Sequence, residues 1–344
     1  MWREVSLLKD AVIAKLYPES ADVLVRRLVK ERAPVFTGSC QPEGQMVLYL
    51  CIFLEVVFMK VAILGAGAYG GALGEVLERA GHKIRFYDPI KYRDVALDSV
   101  TSWSEMILLV VPALKVKELL RQFSLETFSK HLIVATKGVM GLELWEKFRS
   151  FELMAGPGFA REILMDKKIR LTLASKNGVL KESTSRNLGA ESLFLGTNIS
   201  FDKTDDVLGV ALLSGLKNIY AIEAGRRGLE ADTSELEEYV EDVLLEAKQF
   251  LIYNGGFAET VELSAGRGDF YLTAGSEESR NYRFGKEVLS AKKKVFERGA
   301  NFRKNNTVEG LFAAEEIEKR GLYVPKNCEI LTDVLRRIQN ATKR

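Results

Sequence analysis

Gly65, Gly67 and Gly70 stand in the spacing G-x-G-x-x-G, directly after the apolar run 61–64. Each glycine has a job in holding a dinucleotide. The first permits a tight turn, the second lets the backbone approach a pyrophosphate, and the third lets a helix lie close against the strand. A helical pattern then begins, with Ala72, Leu73, Val76, Leu77 and Ala80 on one face and a stop at Gly81, and the N–H groups and positive dipole end of its N-terminus attract an anion. A second strand-like run, Lys83–Tyr87, closes on Asp88. That acid stands roughly twenty residues beyond the loop, where a carboxylate accepts ribose hydroxyls. Protein kinases carry a similar glycine string, but no kinase catalytic-loop or metal-binding motif follows here. The combination predicts a dinucleotide site; the plain alternative is glycines that serve only a turn.

Outside the loop, polar residues able to do chemistry fall in four groups: Lys137, Lys217-Asn218, Asp269 with Thr273, and Ser279-Arg280-Asn281. Lys217 lies in the middle of a largely apolar, small-residue segment. Burying a charged amine there is costly, and an amine readied to give up its proton suits protonation of the alkoxide formed as a carbonyl is reduced. A lysine snorkelling to solvent is the plain alternative. Asp269 could orient Lys217 or a substrate hydroxyl, or simply cap a helix. Ser279-Arg280-Asn281 is dense in phosphate donors, and arginine offers a fork for phosphate, although a solvated loop has the same composition. The chain has two histidines, His82 and His131. Neither has a second ligand at metal spacing, so no metal is expected. His82, following Gly81, reads as a turn residue. Acid–base chemistry is left to lysine, carboxylate or tyrosine.

The elements that must position these groups follow from periodicity. Residues 106–111 form a third buried strand that closes on Pro112, at the sheet edge where α/β folds place ligands. A helix over 114–123 follows, and a strand over 131–135 delivers Lys137 to the same crevice. Residues 153–155 run into the turn Gly156-Pro157-Gly158, which feeds a helix at Ala160. Residues 169–174 and 193–201 read as further strands. From Asp205 the strand signal gives way to helical periodicity over 207–224, 235–253, 283–291, 308–319 and 330–339. The expected class is α/β: a Rossmann-type, doubly wound, mostly parallel sheet over 59–204, followed by an all-helical substrate domain over 205–344. No low-complexity linker separates them, which implies close packing with a cleft between.

Residues 1–58 lie outside this pattern. Two amphipathic helices are expected over 5–17 and 20–32. The apolar run 47–58, interrupted by Glu55, is shorter than the roughly twenty residues of a membrane helix and lacks the basic start and cleavage site of a secretory signal. The segment is either an appendage packing on the body or a partner subunit, or upstream of a natural start at Met59. The second reading is preferred, because Met59 opens the first strand.

Composition bounds the partners. Hydrophobic residues make up 47% of the 344 and charged residues 28%, an ordinary soluble balance. A net charge of +2 argues against a broad nucleic-acid or membrane surface. The three scattered cysteines form neither a disulfide framework nor a metal knuckle, which points to a reducing, cytoplasmic setting.

Together, Gly-Ala-Gly-Ala-Tyr-Gly, Thr136-Lys137-Gly138, Gly156-Pro157, Gly-Leu-Lys217-Asn218, Gly-Arg-Gly-Asp269…Thr273, Ser279-Arg280-Asn281…Arg283-Phe284-Gly285 and Val308-Glu309-Gly310 occur in one order. In that order they resemble the NAD(P)-dependent glycerol-3-phosphate dehydrogenase family, from Met59 to about Val334. The resemblance implies reversible hydride transfer between NAD, or NADP, and dihydroxyacetone phosphate or sn-glycerol 3-phosphate, a supply of glycerol backbone for phospholipids, and a homodimer. It implies that Lys217 transfers the proton, with Lys137 and Asp269 beside it. It places Lys137, Gly156, Gly158, Asn218, Asp269, Thr273, Ser279, Arg280 and Asn281 at the substrate. It places Gly65, Gly67, Ala68, Tyr69, Gly70, Asp88, Pro112, Lys137, Ala160, Arg280 and Glu309 at the cofactor.

The chain also departs from the family pattern. Gly158 replaces the usual serine, the stretch 224–263 is shortened and acidic, and the segment between Asp88 and Met106 is short. Asp88 stands where many bacterial members carry arginine, which favours NAD over NADP, against a counter-pull from Lys91 and Arg93. Two rivals remain open: a related lysine-dependent dehydrogenase of another small hydroxy compound, and a cofactor-binding regulatory protein that has lost catalysis.

Overall fold

A computed structural model describes residues 59–136, 148, 150–175, 189–291 and 293–342. Residues 1–58, with the helices and apolar run expected there, lie outside the described residues, as does Lys137. The described strands form a seven-stranded sheet: β1 Lys60–Leu64, β2 Lys83–Tyr87, β3 Met106–Leu109, β4 His131–Val134, β5 Ser150–Ala155, β6 Ile169–Ala174 and β7 Ile199–Thr204. Their order is β2-β1-β3-β4-β5-β6-β7. All neighbours are parallel except β5 and β6.

β1 is covered on both faces, so four successive residues, Val61 to Leu64, are fully buried. Val61 and Ile63 face the helix α1, Ala68–Arg79, through Leu73, Val76 and Leu77. Ala62 and Leu64 face the other way, toward α2 Leu97–Trp103 and α3 Ala113–Leu120. The third strand is shorter than its apolar run, ending at Leu109. Val110 then turns beneath the glycine loop, where its carbonyl would lie 2.7 Å from a Cβ at Gly65. Gly65 itself has φ +109°, the left-handed region that only glycine enters freely.

The strand expected over 193–201 is corrected. After the short α4, Leu125–Phe128, and α5, Ala160–Leu164, a helical turn α6, Ala190–Leu193, carries Leu193 and Phe194 into the core, and β7 begins at Ile199. Gly196, with φ +82°, breaks the extended run between them.

Beyond β7 the chain is helical: α7 Val207–Arg227, α8 Ser234–Tyr253, α9 Asp269–Ala274, α10 Arg280–Phe284, α11 Val295–Asn305, α12 Glu309–Lys319 and α13 Glu329–Thr342. The helix expected over 283–291 begins three residues earlier and passes at Gly285 into a wide π turn, Gly285–Leu289. α7 is the axis of this half. Asp206 caps it by accepting from the Gly209 amide at 2.7 Å, and Gly228, at φ +75°, ends it. Its residues are apolar on every side because helices surround it, the pattern of a core helix. It is long and apolar enough to span a bilayer, yet 94% of that stretch is buried within the protein.

Candidate functional site

The glycine loop fits a pyrophosphate. Space for a ligand opens over Gly67, where a Cβ would meet no atom within 4 Å, while at Gly70 it would stand 2.1 Å from the Gly65 carbonyl oxygen. Gly70 is thus the close-packing glycine and Gly67 the open one. Gly67 is also the N-cap of α1 and contributes no capping side chain, so the first amides of a twelve-residue helix are left for an anion. Asp88 binds the loop to the strand end. Its carboxylate accepts from the Ala66 amide at 2.9 Å and from the Ile90 and Lys91 amides at 2.9 and 3.1 Å. Burial alone would raise its pKa, but these amides and the Lys91 charge outweigh that and hold it below the usual carboxylate value. Lys91 reaches back to the Ala66 carbonyl at 2.5 Å. Pro112 is the N-cap of α3 and Ala160 the first residue of α5.

In the helical half, Lys217 does not snorkel. It is 3% exposed on α7, and its amine donates to the Asp269 carboxylate, 52 residues further on. Asp269 is likewise buried, and Thr273, one turn along α9, donates to its other oxygen at 3.3 Å. The N-cap of α9 is Gly268, so Asp269 is a partner for the lysine and not the cap. The mutual compensation of charge is what makes this burial tolerable.

Two contacts fix Asp269 relative to the sheet. The wide turn Ser264–Gly268 is pinned by Ser264, which donates from backbone and hydroxyl to Asp202 on β7, and by the Ala265 amide, which donates to Thr172 on β6 at 2.8 Å. Gly268 then packs against Pro157, whose Cγ would be 3.2 Å from a Cβ there. This brings the Gly156-Pro157-Gly158 turn against the start of α9. Gly158 has φ +155°, at the margin of the region that favours glycine. On the helix that the glycine loop opens, burial first, and then the charge of Asp269, push the Tyr69 phenol far above the usual range.

The next residue on α7 starts a second cluster. Asn281 donates to the Asn218 side chain at 2.7 Å and accepts from the Gly310 amide at 2.9 Å, while Asn218 donates to the Ser214 carbonyl. Arg280 donates to Glu309 at 2.5 Å. Ser279 caps α10, its hydroxyl accepting from the Tyr282 amide at 3.3 Å, so it holds the segment's shape. Among the described residues, Lys217 with Asp269 and Thr273, and Asn218 with Asn281 and the Arg280–Glu309 pair, thus form two contact chains that start from neighbouring residues of α7 and reach α9, α10 and the start of α12. Sequence reasoning did not find the Asn218–Asn281–Gly310 chain. It depends on contacts across long sequence separations, and its one advance signal was that the two asparagines are polar within apolar surroundings.

A mostly parallel sheet with a glycine loop fit for a pyrophosphate, followed by a helical half that buries a lysine–carboxylate pair, has the architecture of a dinucleotide-dependent dehydrogenase. Residues 206–343 match the family described as NAD-dependent glycerol-3-phosphate dehydrogenase C-terminus. Over most of the chain it is similar to the glycerol-3-phosphate dehydrogenase [NAD(P)+] of Coxiella burnetii, at 28% identity over 78% of this chain and 90% of the relative. The enzyme of the same name from Azotobacter vinelandii is 26% identical over 77% and 87%. Among solved structures, glycerol-3-phosphate dehydrogenase from Coxiella burnetii superposes with a TM-score of 0.66 at 23% identity, covering 84% of this chain and all of that one. The yeast enzyme does so at 0.62 and 15%, covering 83% and 99%, so these two share the fold. The chain is thus similar to NAD(P)-dependent glycerol-3-phosphate dehydrogenases over most of its length, and its helical half matches that family's C-terminal part.

Proposed function

We propose that this protein reversibly reduces dihydroxyacetone phosphate to sn-glycerol 3-phosphate with NADH, supplying the glycerol backbone of phospholipids. The observation that carries the proposal is the Lys217–Asp269 pair, buried in a chain whose glycine loop fits a pyrophosphate. A bound nicotinamide cofactor would supply the hydride for the carbonyl carbon. Gly65, Gly67, Ala68, Tyr69 and Gly70 would seat its pyrophosphate, Asp88 would meet the adenosine ribose, and Pro112 and Ala160 would border the dinucleotide. Lys217 gives its proton to the carbonyl oxygen, and Asp269 balances the charge of the amine and fixes where it points. Thr273 holds Asp269 in turn. Arg280 binds the substrate phosphate, and this remote anchor aligns the carbonyl for reaction. Lys137, Gly156 and Gly158 complete the substrate side. In this reading the sheet domain, 59–204, carries the cofactor and the helical domain, 205–344, the substrate. The enzyme acts in the cytoplasm as a homodimer, without membrane insertion or nucleic acid.

One assay tests the reading: NADH oxidation on adding dihydroxyacetone phosphate. The parent protein should turn over, and Lys217→Ala should lose about a hundredfold or more in kcat, the range for removal of a general acid. NADPH should be used less efficiently than NADH, because Asp88 repels a 2′-phosphate. No turnover by the parent would favour one of the rival readings, and an undiminished Lys217→Ala would remove the lysine from its role.

A further inference from the structure

Arg280 does not stand alone at the place where a phosphate would arrive. Its Nη2 donates to the Glu309 carboxylate at 2.5 Å. The two partners are unlike: the Arg280 side chain is 44% exposed, whereas that of Glu309 is 12% exposed. Glu309 is the first residue of α12, and the start of that helix is fixed independently of the ion pair. The Gly310 amide donates to Asn281, and Asn281 donates to Asn218 on α7. A Cβ at Gly310 would lie 2.7 Å from the Asn218 carbonyl oxygen, so the start of α12 is seated against the backbone of the lysine-bearing helix. The carboxylate is the fixed partner, and the guanidinium is the one being held.

We propose that Glu309 is a positioning residue for the phosphate-binding arginine, and that it acts on the substrate side of the site. The inference rests on the proposed function and assigns Glu309 a role other than the cofactor contact implied by the family resemblance. A free arginine samples many rotamers, and ordering it when substrate binds costs affinity. Glu309 engages one nitrogen of the planar fork in advance, and the remaining N–H donors stay available to a dianion. The same contact chain ties the arginine to the reacting end. Glu309 and Gly310 are consecutive, Gly310 is bonded through Asn281 to Asn218, and Asn218 follows Lys217. The distance from phosphate anchor to proton donor is thereby set by side-chain and backbone contacts across three helices.

The test compares the parent protein with Glu309→Ala and Glu309→Gln in steady-state NADH oxidation, using dihydroxyacetone phosphate and, at high enzyme concentration, phosphate-free dihydroxyacetone. The expected result is a KM for the phosphorylated substrate raised about three- to tenfold in Glu309→Ala, the scale of one freed, rotamer-rich side chain. Glu309→Gln, which still accepts a hydrogen bond, should recover part of that loss. The KM for NADH should rise by less than the KM for the phosphorylated substrate, and the kcat/KM for phosphate-free dihydroxyacetone should fall by less than that for the phosphorylated one. Competitive inhibition by inorganic phosphate should weaken in parallel with the KM change. A KM that rises only for NADH would return Glu309 to the cofactor side, and tighter binding of the phosphorylated substrate would make it a competitor for Arg280. An equal loss on both substrates would mean structural damage. Each of these results overturns the proposal. Failure of the parent protein to act on dihydroxyacetone phosphate would instead defeat the functional reading beneath it.

Discussion

His82 shows how a residue with no part in the chemistry still constrains the conditions under which the enzyme works. It is 5% exposed, and its Nδ1 accepts from the Met59 amide at 3.2 Å, just before β1. Burial lowers its pKa from the ordinary 6.5, against a smaller opposing pull from the Leu193 carbonyl. The unfolded chain therefore binds a proton more readily than the folded one, and stability must rise with pH across that window. The contribution is present in full above 6.5 and is lost as pH falls through the folded-state value. Chemical denaturation from neutral pH downward should show a declining midpoint, and His82→Gln should flatten that part of the curve. A parent midpoint unchanged by acidification across the window would contradict this. The histidine had read as a turn residue, since a sequence shows that it follows a glycine but not that its ring faces the core. Lys217, by contrast, was legible as a candidate because a charge amid apolar residues is conspicuous. Its partner Asp269 was legible as an acid that could orient the lysine or a substrate hydroxyl or cap a helix, and only the packing of α9 on α7 chooses between these.

Among elements, the contact between α7 and the Arg280 segment is made by glycines at backbone distance. A Cβ at Gly225 would lie 1.9 Å from the Tyr282 carbonyl oxygen, and one at Gly285 would lie 1.8 Å from the Ile222 carbonyl oxygen. Gly285 has helical dihedrals, so alanine would gain about 1 kcal/mol of helix propensity there. Overpacking of a core contact costs about 1–3 kcal/mol, and here the obstacle is backbone that cannot rotate away. Gly285→Ala is therefore expected to be less stable than the parent in urea titration, and its KM for the phosphorylated substrate should rise as Arg280 is displaced. Equal or greater stability would show that the helices part without cost. The helices along 207–253 were readable from periodicity, and their ends fell close to expectation. The segment around 283–291 was not, because a π turn at Gly285 shifts the register of the apolar face and a periodic template misplaces the start. α2 and α11 were missed for a related reason: α2 is short, and α11 buries little beyond Gly299.

At the scale of the molecule, the two halves share a structural member. Val207, Val210 and Ala211 of α7 belong to the core on one face of the sheet, together with Ala62, Leu64 and Ile107. From Leu212 onward the same helix fills the centre of the helical core, with Tyr220 and Ile222. Calorimetry should accordingly record one cooperative unfolding transition, and saturating NADH should raise its midpoint. At a hundred times its dissociation constant the cofactor would add about 2.7 kcal/mol. Two separated transitions would mean that α7 frays between the halves. Composition and alternation gave the order of the strands along the chain, and the change to helices near Asp205 was plain. That the change falls where one helix is embedded in both cores was not plain, because periodicity reports which residues are apolar and not which neighbours cover them.

That shared helix limits how the protein can be recombined. A junction placed at residue 205, where the sequence changes character, would leave the sheet half without Val207, Val210 and Ala211, which fill its hydrophobic face. The seam that respects the packing lies inside α7, between Ala211 and Leu212. A chimera joined there would keep Val207, Val210 and Ala211 with the sheet core, to which the helical half would still lend Ala265. It would also carry Lys217, Asp269 and Arg280 together with the incoming half, while the glycine loop stayed behind. On the proposed function, the proton donor and the phosphate anchor would then be exchanged as one unit by a cut made through a helix and not at its end.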